Sequence, residues 1–245
     1  MNGSDQIDFV LAERSRIQTE YQRRALSANN DLYEAWQPAA RFMTEVRRLK
    51  AIEMLHEASV FPSETSQCLE VGFGSGGWLS EILSWGVPEG NLHGIEINPA
   101  RAWRASEMYP DADLRIGDAV KLPWDSDSFK LVITSTLFTS VLDDKVRRLI
   151  ADEIVRVLTP GGALLWYDFA FNNPRNANVR GVNRAELRKL FRSLAGDIKS
   201  VTLAPPLVRM IAPRSWTLAT LLEGIPLLRT HLLGVLIKRP FSGNQ

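Results

Sequence analysis

Apolar positions recur along this chain with two different periods. Over 38–58 they fall at Phe42, Val46, Leu49, Ile52 and Leu55, three or four residues apart, a spacing that predicts a helix with one face on a core. An earlier stretch rich in Arg and Glu, Gln6–Leu26, predicts a first, more polar helix. From Gln67 to about Phe169 the pattern changes. Short apolar runs at Cys68–Val71, His93–Ile97, Leu114–Ile116, Leu131–Ser135 and Ala163–Tyr167 alternate with helix-like stretches, separated by turn residues. That alternation predicts an α/β domain with a doubly wound, mainly parallel sheet and right-handed crossovers. A helix over Val182–Ala195, with Asn183 as its cap, and two strands at Ile198–Leu203 and Leu232–Lys238 follow. The expected organisation is an N-terminal helical extension, 1–60, on a domain of 61–245 that carries an insert at 204–231.

The first apolar run ends in the most informative stretch, Cys-Leu-Glu-Val-Gly-Phe-Gly-Ser-Gly-Gly at 68–77. Glycine carries no Cβ, so the backbone turns tightly there and a ligand lies directly on it. A loop of this kind at the carboxyl end of a first parallel strand is where open α/β sheets bind nucleotide-like cofactors. The spacing alone leaves two cofactors open. Gly72, Gly74 and Gly76 fit the loop of S-adenosylmethionine (SAM) methyltransferases, and Gly72, Gly74 and Gly77 fit the dinucleotide fingerprint. About 20 residues on, Glu96 ends the second apolar run, where a carboxylate accepts from ribose hydroxyls of either cofactor.

Composition narrows the classes. The chain has 245 residues, enough for one α/β domain with additions. Its 29 Lys and Arg against 28 Asp and Glu leave no global field to draw it to nucleic acid, and no nucleic-acid partner is expected. The single cysteine, Cys68, has no internal disulfide partner and sits among apolar neighbours as a core residue. With no secretory signal at the start and no apolar stretch of about 20 residues, a soluble, cytoplasmic protein is expected.

Three later motifs choose between the cofactors: Gly117-Asp118-Ala119 after the third run, Leu122-Pro123-Trp124 before the fourth, and Leu158-Thr159-Pro160-Gly161-Gly162 before the fifth. In this order and spacing the chain resembles the class I SAM-dependent methyltransferases, most closely the methyltransferase type 11 group, over about 66–170. The resemblance implies a Rossmann-like sheet of seven strands with the last antiparallel, and SAM as cofactor. It implies that Gly72, Gly74 and Gly76 meet the methionyl carboxylate and that Glu70 holds the amino end. Glu96 would then take the ribose, Ile97 the adenine face, and Asp118 the adenine amino group, assisted by the Ala119 backbone. Ser135, at the end of the fourth run, also falls on the cofactor side. The dinucleotide reading weakens, since no Tyr-x-x-x-Lys pattern appears.

The implied activity is methyl transfer to a hydroxyl oxygen of a small molecule or glycan. The stretch Thr134–Val141 should face the transferable methyl, and Thr139 and Ser140 stand where many relatives carry histidines. Asp168, at the end of the fifth run, is the candidate general base, with a structural partnership to a loop as the alternative. Asn172, Asn173 and Arg175 are candidate acceptor contacts on the following loop, or ordinary turn residues. His231, a lone histidine before a strand, reads as structural. No metal is expected, because Thr134–Ser140 holds no acid. Tyr21, Arg23, Arg24, Tyr33 and Trp36 belong to a segment that would form a lid over SAM, or an ordinary helical surface. The insert around 205–230 is apolar and proline-rich; it is either local core or a surface for a lipid-linked acceptor or membrane. A SAM-binding regulatory module without turnover, and N- or C-transfer, stay open.

Overall fold

The structure is a computed structural model that describes residues 3–25, 36–74, 76–173 and 176–239. Seven strands form one sheet: β1 (Cys68–Val71), β2 (Leu92–Glu96), β3 (Asp113–Ile116), β4 (Phe129–Ser135), β5 (Leu158–Phe169), β6 (Leu194–Leu203) and β7 (Arg229–Lys238). Their order is β3-β2-β1-β4-β5-β7-β6. The first five pair in parallel, and β7 runs antiparallel to both β5 and β6. This is the Rossmann-like α/β class expected from the alternating runs.

Strand β4 shows why those runs are apolar at nearly every position. Val132 packs into the core on one face of the sheet, while Leu131 and Ile133 pack into the core on the other. A strand covered on both faces has no solvent side on which polar residues could sit. The helices α2 (Pro38–Glu57), α3 (Gly77–Ser84) and α4 (Pro99–Met108) supply one cover. The other cover comes from α1 (Gly3–Ala25), α5 (Asp144–Val157) and α6 (Arg184–Leu190). Their starts follow local chemistry: Pro38 and Pro99 open α2 and α4, and the side chains of Asn98, Asp143 and Asn183 cap α4, α5 and α6.

Two expectations need correction. Of the expected face of α2, Phe42 and Leu55 are buried, but Leu49 is exposed, and Ala51 and Met54 complete the buried stripe. The helix expected over Val182–Ala195 stops at Leu190, and Leu194 and Ala195 already belong to β6. Phe191 leaves the helix to pack edge-on against Phe138, with ring centroids 5.7 Å apart.

The insert folds as α7 (Pro205–Ile211), α8 (Trp216–Glu223) and a 3-10 turn at Pro226–Leu228. Its buried side chains Val208, Ala212 and Ala219 share a small core with Ala39 and Phe42 of α2 and with Leu203 of β6. The Glu223 carboxylate fastens α8 to the sheet by accepting from the backbone N–H groups of Thr202 (2.9 Å) and Leu203. No helix among the described residues is long and apolar enough to cross a membrane.

Candidate active site

The glycine loop is shaped by backbone that L-residues with a Cβ rarely adopt. Gly72, Gly74 and Gly76 have φ of 77°, 57° and 86°. The Gly72 N–H bonds to the Ile95 carbonyl at 2.8 Å, which closes the β1 turn against β2, and Gly76 caps α3. A Cβ at Gly76 would lie 2.8 Å from Cε2 of Tyr109. Replacing Gly76 by valine therefore adds a clash to a φ that β-branched residues avoid. The expected cost is about 1–3 kcal/mol, or a fall in Tm of roughly 2–4 °C for each kcal/mol in a chain of this size. Thermal unfolding reads it, and an unchanged Tm would contradict the assignment.

Around this loop a single cavity gathers residues from five places. Glu70, Gly72 and Gly74 come from β1 and its turn, Glu96 and Ile97 from the end of β2, Asp118 and Ala119 from the turn after β3, and Ser135 from the end of β4. Ile17 and Tyr21 of α1 line it from above. Of the nine residues expected to hold the cofactor, Gly76 alone does not line the cavity; it shapes the turn instead.

Glu96 is almost fully buried, and its carboxylate accepts from the backbone N–H of Gly74 and of Asn98, each at 2.8 Å. It joins the glycine loop to the β2 turn while facing the cavity. Asp118 accepts from the Val120 N–H at 3.1 Å, which tightens its own turn. Glu70 is buried, and burial pushes its carboxyl well above the usual carboxylate range. The Arg47 guanidinium and the N–H groups of Leu79 and Trp78 oppose that shift, and Glu96 adds to it. One Glu70 oxygen, Oε2, has no hydrogen-bond partner among the described residues.

Arg47 is the functional candidate that periodicity alone overlooked. It precedes Ala51, Met54 and Leu55 by four, seven and eight residues, so it extends the buried stripe of α2 toward the cavity, which it lines. Its guanidinium carbon lies 4.7 Å from the Trp78 ring centroid and 5.2 Å from that of Tyr167. Its Nε is buried without a hydrogen-bond partner among the described residues. The signal was a cation on a core stripe, visible only once the stripe is placed correctly.

The α1 helix lies over the mouth of the cavity and is fastened by polar contacts. Glu13 accepts from the Leu142 N–H, and Arg16 bridges Glu13 and the Ser140 carbonyl. Glu20 accepts from Nδ2 of Asn178 at 2.9 Å, and Arg101 of α4 places its guanidinium 4.4 Å from the Tyr21 ring centroid. Of the segment expected as a lid, Tyr21 therefore lines the cavity; Trp36 is exposed, and Tyr33 lies outside the described residues.

The acceptor candidates are not gathered in the same way. Thr139 was expected to face the methyl, but it is buried beneath the loop after β4, and its hydroxyl has no hydrogen-bond partner. Thr136, Leu137, Ser140 and Val141 of that loop line the cavity instead. Thr136 is held at φ 54°, a strained value for a β-branched residue. Asn172 lines a separate groove between α5 and α6, where its Oδ1 accepts from the Gly181 N–H at 2.9 Å. Asn173 lines neither cavity, and Arg175 lies outside the described residues. His231 is packed between the rings of Tyr167 and Phe169, and burial takes its pKa down to about 3.

Asp168 was expected to face the crevice at the end of β5. It is fully buried instead and does not line the cavity. Its Oδ2 accepts from the Thr139 N–H at 3.1 Å and its Oδ1 from the Phe169 N–H at 3.2 Å, so it holds the loop after β4 from below. Burial raises its pKa to about 7, against the pull of those N–H groups and of Arg147. The folded state thus keeps a proton on Asp168 that the unfolded state has released, from the ordinary aspartate range up to about pH 7. Stability from this group is present at low pH and is lost as pH rises through that window. The expected result for Asp168→Asn is a Tm difference, variant minus wild type, that climbs from about pH 4 to 7 and levels off above. A difference that stays flat or falls over that range would refute the protonated state.

Comparison with known proteins agrees with this geometry. A family model described as a methyltransferase domain matches residues 68–162. The phthiotriol/phenolphthiotriol dimycocerosates methyltransferase of Mycobacterium tuberculosis is 33% identical over 126 residues, 51% of this chain and 45% of its own. The 2-methyl-6-phytyl-1,4-hydroquinone methyltransferase of Synechocystis is 28% identical over 166 residues, 62% of this chain and 50% of its own. The chain thus spans about half the length of these relatives. Among solved structures, a SAM-dependent methyltransferase of Thermotoga maritima, a possible histamine N-methyltransferase, aligns with a TM-score of 0.60 at 18% identity. That alignment covers 86% of this chain and 97% of the other, and it carries the fold alone. Strand order and glycine loop agree with the family match, and residues 68–162 are similar to a methyltransferase domain, with SAM as the cofactor.

Proposed function

We propose that the protein transfers a methyl group from SAM to a hydroxyl oxygen of a small acceptor with a sizeable apolar part. The observation that carries this reading is the covered cavity in which the glycine loop, Glu96, Asp118 and the orphaned polar atoms of Arg47 and Glu70 converge. These residues fit SAM on chemical grounds. An amino acid end needs a cation for its carboxylate and an acceptor for its amino group, and half-buried Arg47 and buried Glu70 lie beside the loop with unmet bonding capacity among the described residues. A ribose needs acceptors for its hydroxyls, which Glu96 supplies; an adenine needs an acceptor and an apolar face, which Asp118 and Ile97 supply. Bound SAM contributes a methyl on a sulfonium, already a strong electrophile.

The chain's own part is then to position and to exclude water. Ile17 and Tyr21 cover the cavity, and the contacts of Glu13 and Arg16 keep α1 against the loop that forms the acceptor wall. Asp168 fixes that loop through the Thr139 N–H, so its role is to position rather than to take the acceptor proton. Support for an apolar acceptor comes from the wall residues Ile17, Leu137 and Val141, and from two relatives whose names specify a mycocerosate-bearing lipid and a phytyl hydroquinone.

Methyl-labelled SAM tests the proposal, with a panel of prenylated phenols, aliphatic alcohols and oligosaccharides as acceptors. Label in an apolar product that mass spectrometry assigns to an O-methyl ether is the expected result. Label on carbon or nitrogen would move the reaction, and label on an oligosaccharide would move the acceptor class. Binding of SAM with no transfer to any acceptor would favour a regulatory module.

A further inference from the structure

We propose that the face formed by α7, α8 and the Pro226–Leu228 turn docks the protein on an anionic lipid bilayer. Six apolar side chains stand exposed on this one segment: Met210, Trp216, Leu218, Leu221, Ile225 and Leu227, the last at 94%. The segment is not loose. Val208, Ala212 and Ala219 are buried against α2 and β6, and Glu223 is bonded to the backbone of β6. The same short helices thus pack one face on the core, with Leu207, Ile211 and Leu222 beside the buried residues, and still leave six large apolar side chains in water. That is the reverse of how a soluble surface is usually composed.

Charge points to the occupant. Between Pro205 and Arg229 there is one acid, Glu223, and it is buried under the sheet contacts just described. The bases in that interval are Arg209, Arg214 and Arg229, of which Arg229 is paired with Glu223. Arg214 is exposed beside the apolar side chains, and its guanidinium donates to the Met210 carbonyl of its own segment. In a chain whose total charge nearly cancels, this face shows positive charge and no exposed carboxylate. Apolar tips with arginine beside them suit acyl chains below and anionic headgroups around. The tips project from three successive short elements, and none of them lines the groove between α5 and α6.

The face rests on α2, where Trp216 packs edge-on against Phe42 with centroids 5.1 Å apart. The proposal does not depend on methyl transfer, because membrane binding is read without an acceptor.

Cosedimentation with vesicles of phosphatidylcholine and phosphatidylglycerol tests it, comparing wild type with the double variant Leu221→Asp, Leu227→Asp. Wild type should pellet with mixed vesicles, at least fivefold more weakly with pure phosphatidylcholine, and the variant should lose binding at least tenfold. Circular dichroism and S-adenosylhomocysteine affinity should match in the two proteins, since neither position lines the cavity. Failure of the wild type to bind, or equal binding by the folded variant, would overturn the proposal. So would a wild-type dimer in sedimentation velocity that the variant dissolves, because a second copy would then cover the face.

Discussion

Replacing Glu96 by alanine lowers affinity for S-adenosylhomocysteine by roughly ten- to a hundredfold while the fold persists. A hydrogen bond to an ionised acceptor is worth about 1.5–3 kcal/mol, and each 1.4 kcal/mol is tenfold in affinity. The side chain also accepts from Gly74 and Asn98, so the variant loosens the glycine loop and loses some Tm. The loss falls equally on 5′-methylthioadenosine, which keeps the ribose and adenine but lacks the amino acid end. Calorimetric titration with both ligands checks this, and a loss confined to S-adenosylhomocysteine would place Glu96 at the wrong end of the ligand.

Arg47 gives the opposite pattern. Its guanidinium rests on Trp78 and Tyr167 with its Nε unpartnered, a cation held ready on α2 without a carboxylate pair among the described residues. Arg47→Ala should weaken S-adenosylhomocysteine by roughly ten- to a hundredfold, the worth of one charge-assisted contact. Binding of 5′-methylthioadenosine should stay within about twofold. Arg47→Lys should recover part of the loss, since a point charge replaces a two-pronged donor. Equal losses for the two ligands would mean that Arg47 only packs against Trp78.

Much of the architecture was legible in the sequence because it rests on short-range rules. The central strands of the parallel core are mostly apolar, and the turns between them carry Gly, Pro, Asp and Asn where caps and tight bends need them. The cofactor side was legible for the same reason: Glu70, the glycines, Glu96 and Asp118 each sit at a strand end, and strand ends of a parallel sheet converge. The acceptor side obeyed no such rule. Asp168 also ends a strand, yet its side chain turns under the loop after β4, where two backbone N–H groups take it. Which way one residue points depends on how far a loop folds back, and no local spacing records that. Arg47 was hidden because the stripe was drawn through Leu49, which faces solvent, rather than through Ala51 and Met54. The insert was read as either core or surface, and it supplies both.

One titration bears most directly on the central claim that this cavity holds SAM. Wild-type protein is titrated by calorimetry with S-adenosylhomocysteine, and in parallel with NAD. Micromolar, one-to-one binding of S-adenosylhomocysteine with no heat from NAD is the expected result. Binding of NAD without S-adenosylhomocysteine would contradict it, since Glu96 and the glycine loop would then serve a dinucleotide.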